Sequence, residues 1–475
     1  MSKLIVVSNR VSLPHSDQPS AGGLAVALHD ALNEIGGVWL GWNGTQVEDG
    51  QASVFEHVEC GQVEYITCPL QHVHYRKYYC GFANNTLWPA MHDRADLIVF
   101  KNDEYEAYQQ VNYLFAQKLA QIAEPDDVIW IHDYHFFSMA RYCRELGMHN
   151  KIGFFLHIPF APIDMWQMLP RASALIEDLH DYDVIGLQTE NDQKNCMQVC
   201  TSLLKAMQIN AHLISYKSHL TTIKCYPIGI HPDSIQELSI KTDQSVQAML
   251  NKPLAQKTII GVERIDYSKG LLQRFDALAD FLTHYPHYQT QLTALQIACP
   301  CRLDIQAYQD LNRSLNQQVE RINRQFSRDD WQPIDYHQEV IEHDVLMQVY
   351  RAADMCWVTS LRDGMNLVAK EYIAAQNPLD PGVLILSKYA GAAEQMSAAL
   401  IVDPLDPVDM REALKTAMEM SKAERIQRYQ QLIKGLYQFD INDWRNQFLW
   451  DLMHNHQLFE HCIKQPIHRT AHIVF

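Results

Sequence analysis

Met355-Cys356-Trp357-Val358-Thr359-Ser360-Leu361-Arg362-Asp363-Gly364-Met365-Asn366-Leu367-Val368-Ala369-Lys370-Glu371 reads as one folding unit. Met355–Thr359 is a short apolar run suited to a strand covered on both faces. The chain then reaches a carboxylate at Asp363, a glycine, and the start of a helical pattern. A helix beginning here leaves the N–H groups of Gly364, Met365, Asn366, Leu367 and Val368 free for a ligand. Glu371, eight positions after Asp363, falls about two turns along that helix. One acid is then placed for sugar hydroxyls near the helix start and the other for a ribose. A capping aspartate is the plain alternative; it accounts for Asp363 but not for the whole string.

The same pattern recurs on either side. Strands are expected at Lys3–Ser8, Asp127–His132, Lys151–His157, Val184–Gln188 and Ile223–Gly229, and again at Thr258–Glu263, Leu292–Ala298 and Val383–Leu386. Between them, Leu24–Ile35, Tyr105–Ile122 and Met410–Met420 repeat apolar residues every three to four positions, as amphipathic helices do. Strands apolar on both faces that alternate with helices imply parallel sheets, and the fold class is α/β with two doubly wound, Rossmann-like domains. The series breaks over the polar stretch 231–257, so the domains are expected at 1–233 and 234–442. Many strands end in a chemically capable residue: Ser8-Asn9-Arg10, His132-Asp133, His157, Thr189-Glu190, Arg264, Arg302 and Arg362-Asp363. Ligands of open parallel sheets bind beyond the carboxyl ends of the strands. Two such domains face to face would line one cleft.

At 475 residues the chain exceeds one compact core, and its 47% apolar content is that of a globular protein. No apolar run approaches the roughly 18 residues of a membrane span. Met1–Val7 reads as a first strand rather than a secretory signal. Eleven cysteines without a repeating framework fit reduced thiols, and a cytoplasmic location is expected. A net charge of −17 argues against a nucleic-acid-binding face. It leaves room for phosphorylated small molecules, provided a few Arg and Lys converge in one cleft.

Two strings are suited to a phosphate, the second of them through cations. Ser20-Ala21-Gly22-Gly23 precedes a helical pattern, where backbone N–H groups can approach a phosphate; paired glycines also mark ordinary turns. Val262-Glu263-Arg264-Ile265-Asp266-Tyr267-Ser268-Lys269-Gly270 sets an Arg fork and a Lys point charge five residues apart after a strand, a pair suited to a diphosphate; a solvated loop is the alternative. His132-Asp133-Tyr134-His135 lacks a third metal ligand at a usual spacing, so no metal site is expected. Cys299-Pro300-Cys301 lacks the spacer of a redox pair. His454, His456, His461 and His468 read as a solvated tail.

Taken together, these strings resemble the trehalose-6-phosphate synthases. The likeness runs from about Leu4 to about Trp450. It is carried by Val7-Ser8-Asn9-Arg10, Gly22-Gly23-Leu24, Leu87-Trp88-Pro89, Trp130 through His135, Phe154 through Phe160, Gln188 through Asp192, Arg264 through Gly270 and Leu361 through Tyr372. The resemblance implies a glycosyltransferase-B fold with the active site between the domains, the first completed by a C-terminal return helix over about 443–475. It implies transfer of glucose from UDP-glucose to glucose 6-phosphate with retention, the first step of trehalose biosynthesis. Carried over by position, Arg10, Tyr79, Asp133 and Arg302 would hold glucose 6-phosphate, with Trp88 packing on the acceptor side. Gly22, Gly23, Arg264, Lys269, Leu367 and Val368 would bind the diphosphate, Asp363 the donor sugar, Glu371 the ribose and Ile341 the base. His157 would contact the donor glucose, and with Asp363, Arg264 and Lys269 it makes up the expected catalytic set.

Positive side chains stand where other transferases use a divalent ion, so no cofactor is expected, magnesium being at most a non-essential stimulant. No carboxylate pair is placed as the nucleophile and acid of a retaining glycosidase; the family implies same-face substitution. A homo-oligomer, dimer or tetramer, is expected. The chain ends soon after the return helix, so a separate phosphatase would act downstream. Cys299 and Cys301 replace the small or hydroxyl residues usual before Arg302. Alternatives are an ADP-glucose donor, a glycerol 3-phosphate acceptor, or a regulatory paralogue without activity, although Asp363, Arg264 and Lys269 are all retained.

Overall fold

Ten strands build the first sheet. They are β1 (Leu4–Arg10), β2 (Gly37–Val47), β3 (Glu56–Cys60), β4 (Val63–Gln71), β5 (Val128–His132), β6 (Lys151–Phe155), β7 (Val184–Leu187), β8 (Met207–Gln208), β9 (Leu213–Tyr216) and β10 (His219–Cys225). Six build the second: β11 (Lys257–Arg264), β12 (Leu292–Cys299), β13 (Ile334–His337), β14 (Met355–Val358), β15 (Val383–Ser387) and β16 (Leu400–Val402). The computed structural model describes residues 2–11, 13, 28, 32, 34–241 and 257–463, with side chains through 454. The expected helix Leu24–Ile35 and the Gly22-Gly23 turn therefore lie largely outside the described residues, as does His468, whereas His454, His456 and His461, expected in a tail, fall on the helix Ile441–Ile463.

The first sheet runs β3-β4-β2-β1-β5-β6-β7-β10-β9-β8 and the second β13-β12-β11-β14-β15-β16. Pairing is parallel throughout the second sheet and through the centre of the first. Strand order reverses at β1/β5 in one sheet and at β11/β14 in the other, the switch points where doubly wound sheets take their ligands. All nine strands expected from the apolar runs are present, the one expected at Ile223–Gly229 lying four residues earlier as β10, together with seven more. Those seven include exposed or polar edge strands such as β3, Glu56-His57-Val58-Glu59-Cys60, whose first four residues are exposed. An edge strand buries too little to need an apolar pattern.

Glycines let the sheets pack closely at two places. A Cβ on Gly153 or Gly186 would come within 2.7 or 2.8 Å of the Phe448 ring. Phe448 lies on the helix Ile441–Ile463, stacks on Trp130 at 4.9 Å and is fully buried with Leu452. That helix starts from the second domain and closes over the first sheet, and it begins earlier than about 443. The two crossings between domains run side by side: Ile441 N–H donates to the Ile230 carbonyl at 3.3 Å, and a Cβ on Gly229 would lie 2.3 Å from the Asp440 backbone. The polar stretch after His231 is in part a helix, Pro232–Ser239. Ile235 on this helix is buried in the same core cluster as Tyr350 and Tyr372.

Candidate active site

The carboxyl ends of the two sheets meet. From the second sheet come Arg264 at the end of β11, Lys269 in the following turn, Arg302 beyond β12 and Asp363 beyond β14. The Lys269 ammonium sits 2.6 Å from Asp363 Oδ2, both side chains largely buried. Ser360 Oγ and Asn366 Nδ2 each donate to the same oxygen at 3.0 Å. Burial alone would raise the Asp363 pKa, but the ammonium and these donors hold it below the usual carboxylate range. Asn366 is left-handed at φ 86° and accepts from Ala369 N–H at 3.1 Å, capping the helix Leu367–Ala375. The Leu367 and Val368 N–H groups then stand in its first turn, where no intrahelical partner exists. Leu367, Val368 and Ile341 pack against one common apolar core.

Glu371 faces His343 at 4.0 Å, only 12% of its side chain exposed, and burial pushes its pKa up to about 7. Gly364 leaves no room for a side chain, since a Cβ there would lie 2.1 Å from the His157 carbonyl. That contact crosses the cleft.

Facing these residues, Trp88 is buried at 4% exposure, and the Arg302 guanidinium lies 3.9 Å from its ring centroid. Arg302 also donates to Tyr134 Oη at 3.1 Å and Tyr308 Oη at 2.6 Å, and pairs with Asp266 Oδ2 at 3.4 Å. Its Nε is buried with no hydrogen-bond partner among the described residues. Arg264 is exposed, its guanidinium 5.7 Å from the same Trp88 ring. Tyr79, on a helix wound to π pitch over Tyr75–Leu87, stacks on His135 at 6.0 Å and packs on Trp42 at 5.6 Å. Arg10 lies over the same Trp42 ring at 5.3 Å. Asp133 is left-handed at φ 74° and accepts from His157 N–H at 3.3 Å. Burial raises its pKa to about 6 against the pull of that bond, Arg302 and Arg264.

His157 is held on both ring nitrogens: Gln188 Nε2 donates to Nδ1 at 3.4 Å, which assigns the proton to Nε2 facing His132 Nδ1 at 3.0 Å. Burial lowers its pKa to about 3, so the imidazole is neutral near pH 7. Among the described residues no group of three His, Cys, Asp or Glu side chains could hold a metal, and His132-Asp133-Tyr134-His135 is not gathered into one. Three further residues of the site had no role assigned from sequence. Asp266 is fully buried and its pKa falls to about 2, the Arg302 and Arg264 charges outweighing burial. Its position inside the Arg264–Gly270 string was a usable signal. Tyr134 follows the strand-end pair His132-Asp133, a signal of the same kind; Tyr308, on the helix Gln306–Phe326, has none.

Cationic strand ends on one wall, an acceptor-side aromatic on the other and a helix start beneath them make this a glycosyltransferase of the two-Rossmann-domain, GT-B class. Residues 2–454 match glycosyltransferase family 20, and the chain belongs to that family. The trehalose-6-phosphate synthase of Sodalis glossinidius is 41% identical over 452 residues, covering 95% of this chain and 96% of that protein. An α,α-trehalose-phosphate synthase (UDP-forming) from Burkholderia xenovorans, solved in complex with glucose 6-phosphate, superposes with TM-score 0.91 at 41% identity, covering 95% of this chain and all of that one. An E. coli structure bound with UDP-2-fluoro glucose superposes with TM-score 0.89 at 39% identity over 95% and 99% of the two chains. Among the described residues no helix is long and apolar enough to cross a membrane.

Proposed function

We propose that the chain transfers glucose from UDP-glucose to glucose 6-phosphate with retention at the anomeric carbon, yielding α,α-trehalose 6-phosphate and UDP. The observation that carries this reading is the placement of Arg302. A guanidinium from the second domain lies on Trp88 of the first and donates to Tyr134, beside the Lys269–Asp363 pair. A phosphorylated acceptor and a nucleotide sugar can therefore be held side by side.

In this reading Arg264, Lys269 and the start of the helix Leu367–Ala375 receive the diphosphate. Asp363 takes donor-sugar hydroxyls, Glu371 the ribose, and the segment at Ile341 the base. Gly22 and Gly23, outside the described residues, are proposed for the same phosphates. Arg10, Tyr79, Asp133 and Arg302 hold glucose 6-phosphate against Trp88. His157, neutral and already oriented by Gln188 and His132, meets the donor glucose as an uncharged group. As the bond from the anomeric carbon to the UDP oxygen breaks, charge grows on the diphosphate, where preformed cations act most strongly. The acceptor hydroxyl attacks on the same face, and its proton passes to the departing phosphate oxygen. Asp363 and Asp266 are each committed to cations or donors, which supports a path without a carboxylate nucleophile.

The positive side chains and the helix start supply the charge that a divalent ion would otherwise bring, so we propose that none is obligatory. The test of function is a panel of UDP-, ADP- and GDP-glucose against glucose 6-phosphate, glucose and glycerol 3-phosphate, read by mass spectrometry. The expected product is trehalose 6-phosphate, dependent on both substrates. UDP release unaffected by omitting glucose 6-phosphate would overturn the reading.

A further inference from the structure

Arg362 precedes Asp363, yet its side chain leaves its own domain. The backbone there is tied to the second domain, Leu361 N–H donating to the Ser268 carbonyl at 2.7 Å. The guanidinium instead stands between two carboxylates of the first domain, with Nε 3.4 Å from Asp93 Oδ2 and Nη2 4.0 Å from Asp192 Oδ1. Its side chain is 18% exposed. Asp93 follows the helix Trp88–Met91 that carries Trp88. Asp192 is 3% exposed and holds the turn after His157, its Oδ1 accepting from Phe160 N–H at 3.0 Å and its Oδ2 from Thr189 Oγ1 at 2.6 Å. One carboxylate therefore serves both the turn behind His157 and the residue in front of Asp363.

The same face is closed in other ways. A Cβ on Gly391 would lie 1.9 Å from the Gly364 carbonyl and 2.8 Å from Thr189 Cγ2. Glu394 of the second domain accepts from Glu190 N–H at 3.0 Å, at the start of a first-domain helix. Asp363 itself takes its hydrogen bonds from Lys269, Ser360 and Asn366, all of the second domain. Those bonds fix Asp363 within its domain but not its distance from His157. Burial raises the Asp192 pKa to about 6 against the pull of its bonds to Thr189 and Phe160 and of the Arg362 charge.

We propose that Arg362 is a positioning residue, whose pairing with Asp192 and Asp93 across the cleft sets Asp363 against His157 and so couples domain closure to glucosyl transfer. The proposal rests on the reading that Asp363 holds the donor sugar. It differs from simple adhesion between domains because it predicts a loss in turnover without a loss in nucleotide affinity.

The experiment compares wild type, Arg362→Gln, Arg362→Lys, Asp192→Asn and the Arg362→Gln/Asp192→Asn double variant in the full chain. Steady-state kinetics with each substrate varied are joined to UDP titration calorimetry, which gives Kd and the fraction of competent sites. Arg362→Gln should lower kcat by about 10- to 100-fold, the scale of a small misplacement of reacting groups, and leave the Kd for UDP unchanged. Arg362→Lys should recover most of the rate, and the double variant should be no slower than the slower single one. If Arg362→Gln does not fold, Arg362→Lys and Asp192→Asn carry the same comparison. A Kd for UDP that weakens in step with kcat, or single losses that multiply in the double variant, would overturn the proposal. A wild-type enzyme that forms no trehalose 6-phosphate would overturn the function instead.

Discussion

The Lys269 ammonium and Asp363 Oδ2 are 2.6 Å apart at the base of the cleft, on turns separated by 94 residues of sequence. Each is the other's counter-charge, and this makes the pair sensitive in two ways. Lys269→Ala removes a donor to the departing diphosphate and should lower kcat and kcat/KM together, by about 100- to 1000-fold on the scale of one oxyanion donor. It also leaves Asp363 buried without its cation. The residual kcat should then fall toward acid pH, because burial raises the Asp363 pKa and the Lys269 charge no longer opposes it. Wild-type kcat should show no such limb from Asp363, whose pKa lies below the usual range. A pH profile of kcat for the two enzymes checks this.

Arg302→Ala should chiefly raise KM for glucose 6-phosphate, by about 10- to 150-fold for the loss of a charge-assisted bond. Unphosphorylated glucose should lose much of its disadvantage as acceptor. The structure adds a second expectation. Asp266 is fully buried against Arg302, so the variant strands a carboxylate and should melt lower. Arg302→Ala/Asp266→Asn should regain part of that melting temperature without regaining the KM. Kinetics and thermal melts on both variants check the separation.

Glu371 gives a pH effect of opposite sign to the familiar carboxylate. Its folded pKa, about 7, lies above the ordinary glutamate value of 4.5 because of burial. The folded state thus holds a proton that the unfolded state has released, and stability falls as pH rises from about 4.5 to about 7. Glu371→Gln should match wild type in melting temperature near pH 4.5 and exceed it at pH 8. It should also weaken UDP-glucose binding, if the carboxylate takes the ribose hydroxyls. Melting curves across pH, with and without UDP, check both halves.

Phe448 tests the return helix. Its ring fills the space left by Gly153 and Gly186 and stacks on Trp130. Phe448→Ala should cost about 3–5 kcal/mol of stability, as large-to-small changes in a packed core do. Urea unfolding measures this.

Exhaustive chelation should leave turnover intact, since Arg264, Lys269 and a helix start are proposed to serve the diphosphate. Complete loss with EDTA, reversed by a metal, would contradict that. Moderate stimulation by magnesium would not, because release of product can limit the rate.

Much of the site was legible because its residues sit in continuous strings at strand ends. Arg264, Lys269, Asp363 and Glu371 were singled out this way, each within a few positions of a β-to-α turn. Tyr308 was invisible because it lies mid-helix, where an aromatic reads as core. Asp266 was in view but carried no role, since only the folded chain brings Arg302 to it. The strands β2, β3 and β4 were missed because Gly, Asn and charged residues interrupt their apolar runs.

The sequence by itself determined nine of the sixteen strands, how they alternate with helices, and that polar residues cluster where strands end. These are local properties, since burial on both faces of a strand and the turn that follows impose residue types over only a few positions. Tertiary structure alone decided which strand ends meet. The stacking of Arg302 on Trp88, the placing of Arg362 between Asp93 and Asp192, and the crossing of Gly364 past the His157 carbonyl join distant parts of the chain. It also decided charge. An isolated Glu and an isolated His say nothing of pKa values near 7 and 3; those follow from how much water the folded protein leaves around Glu371 and His157.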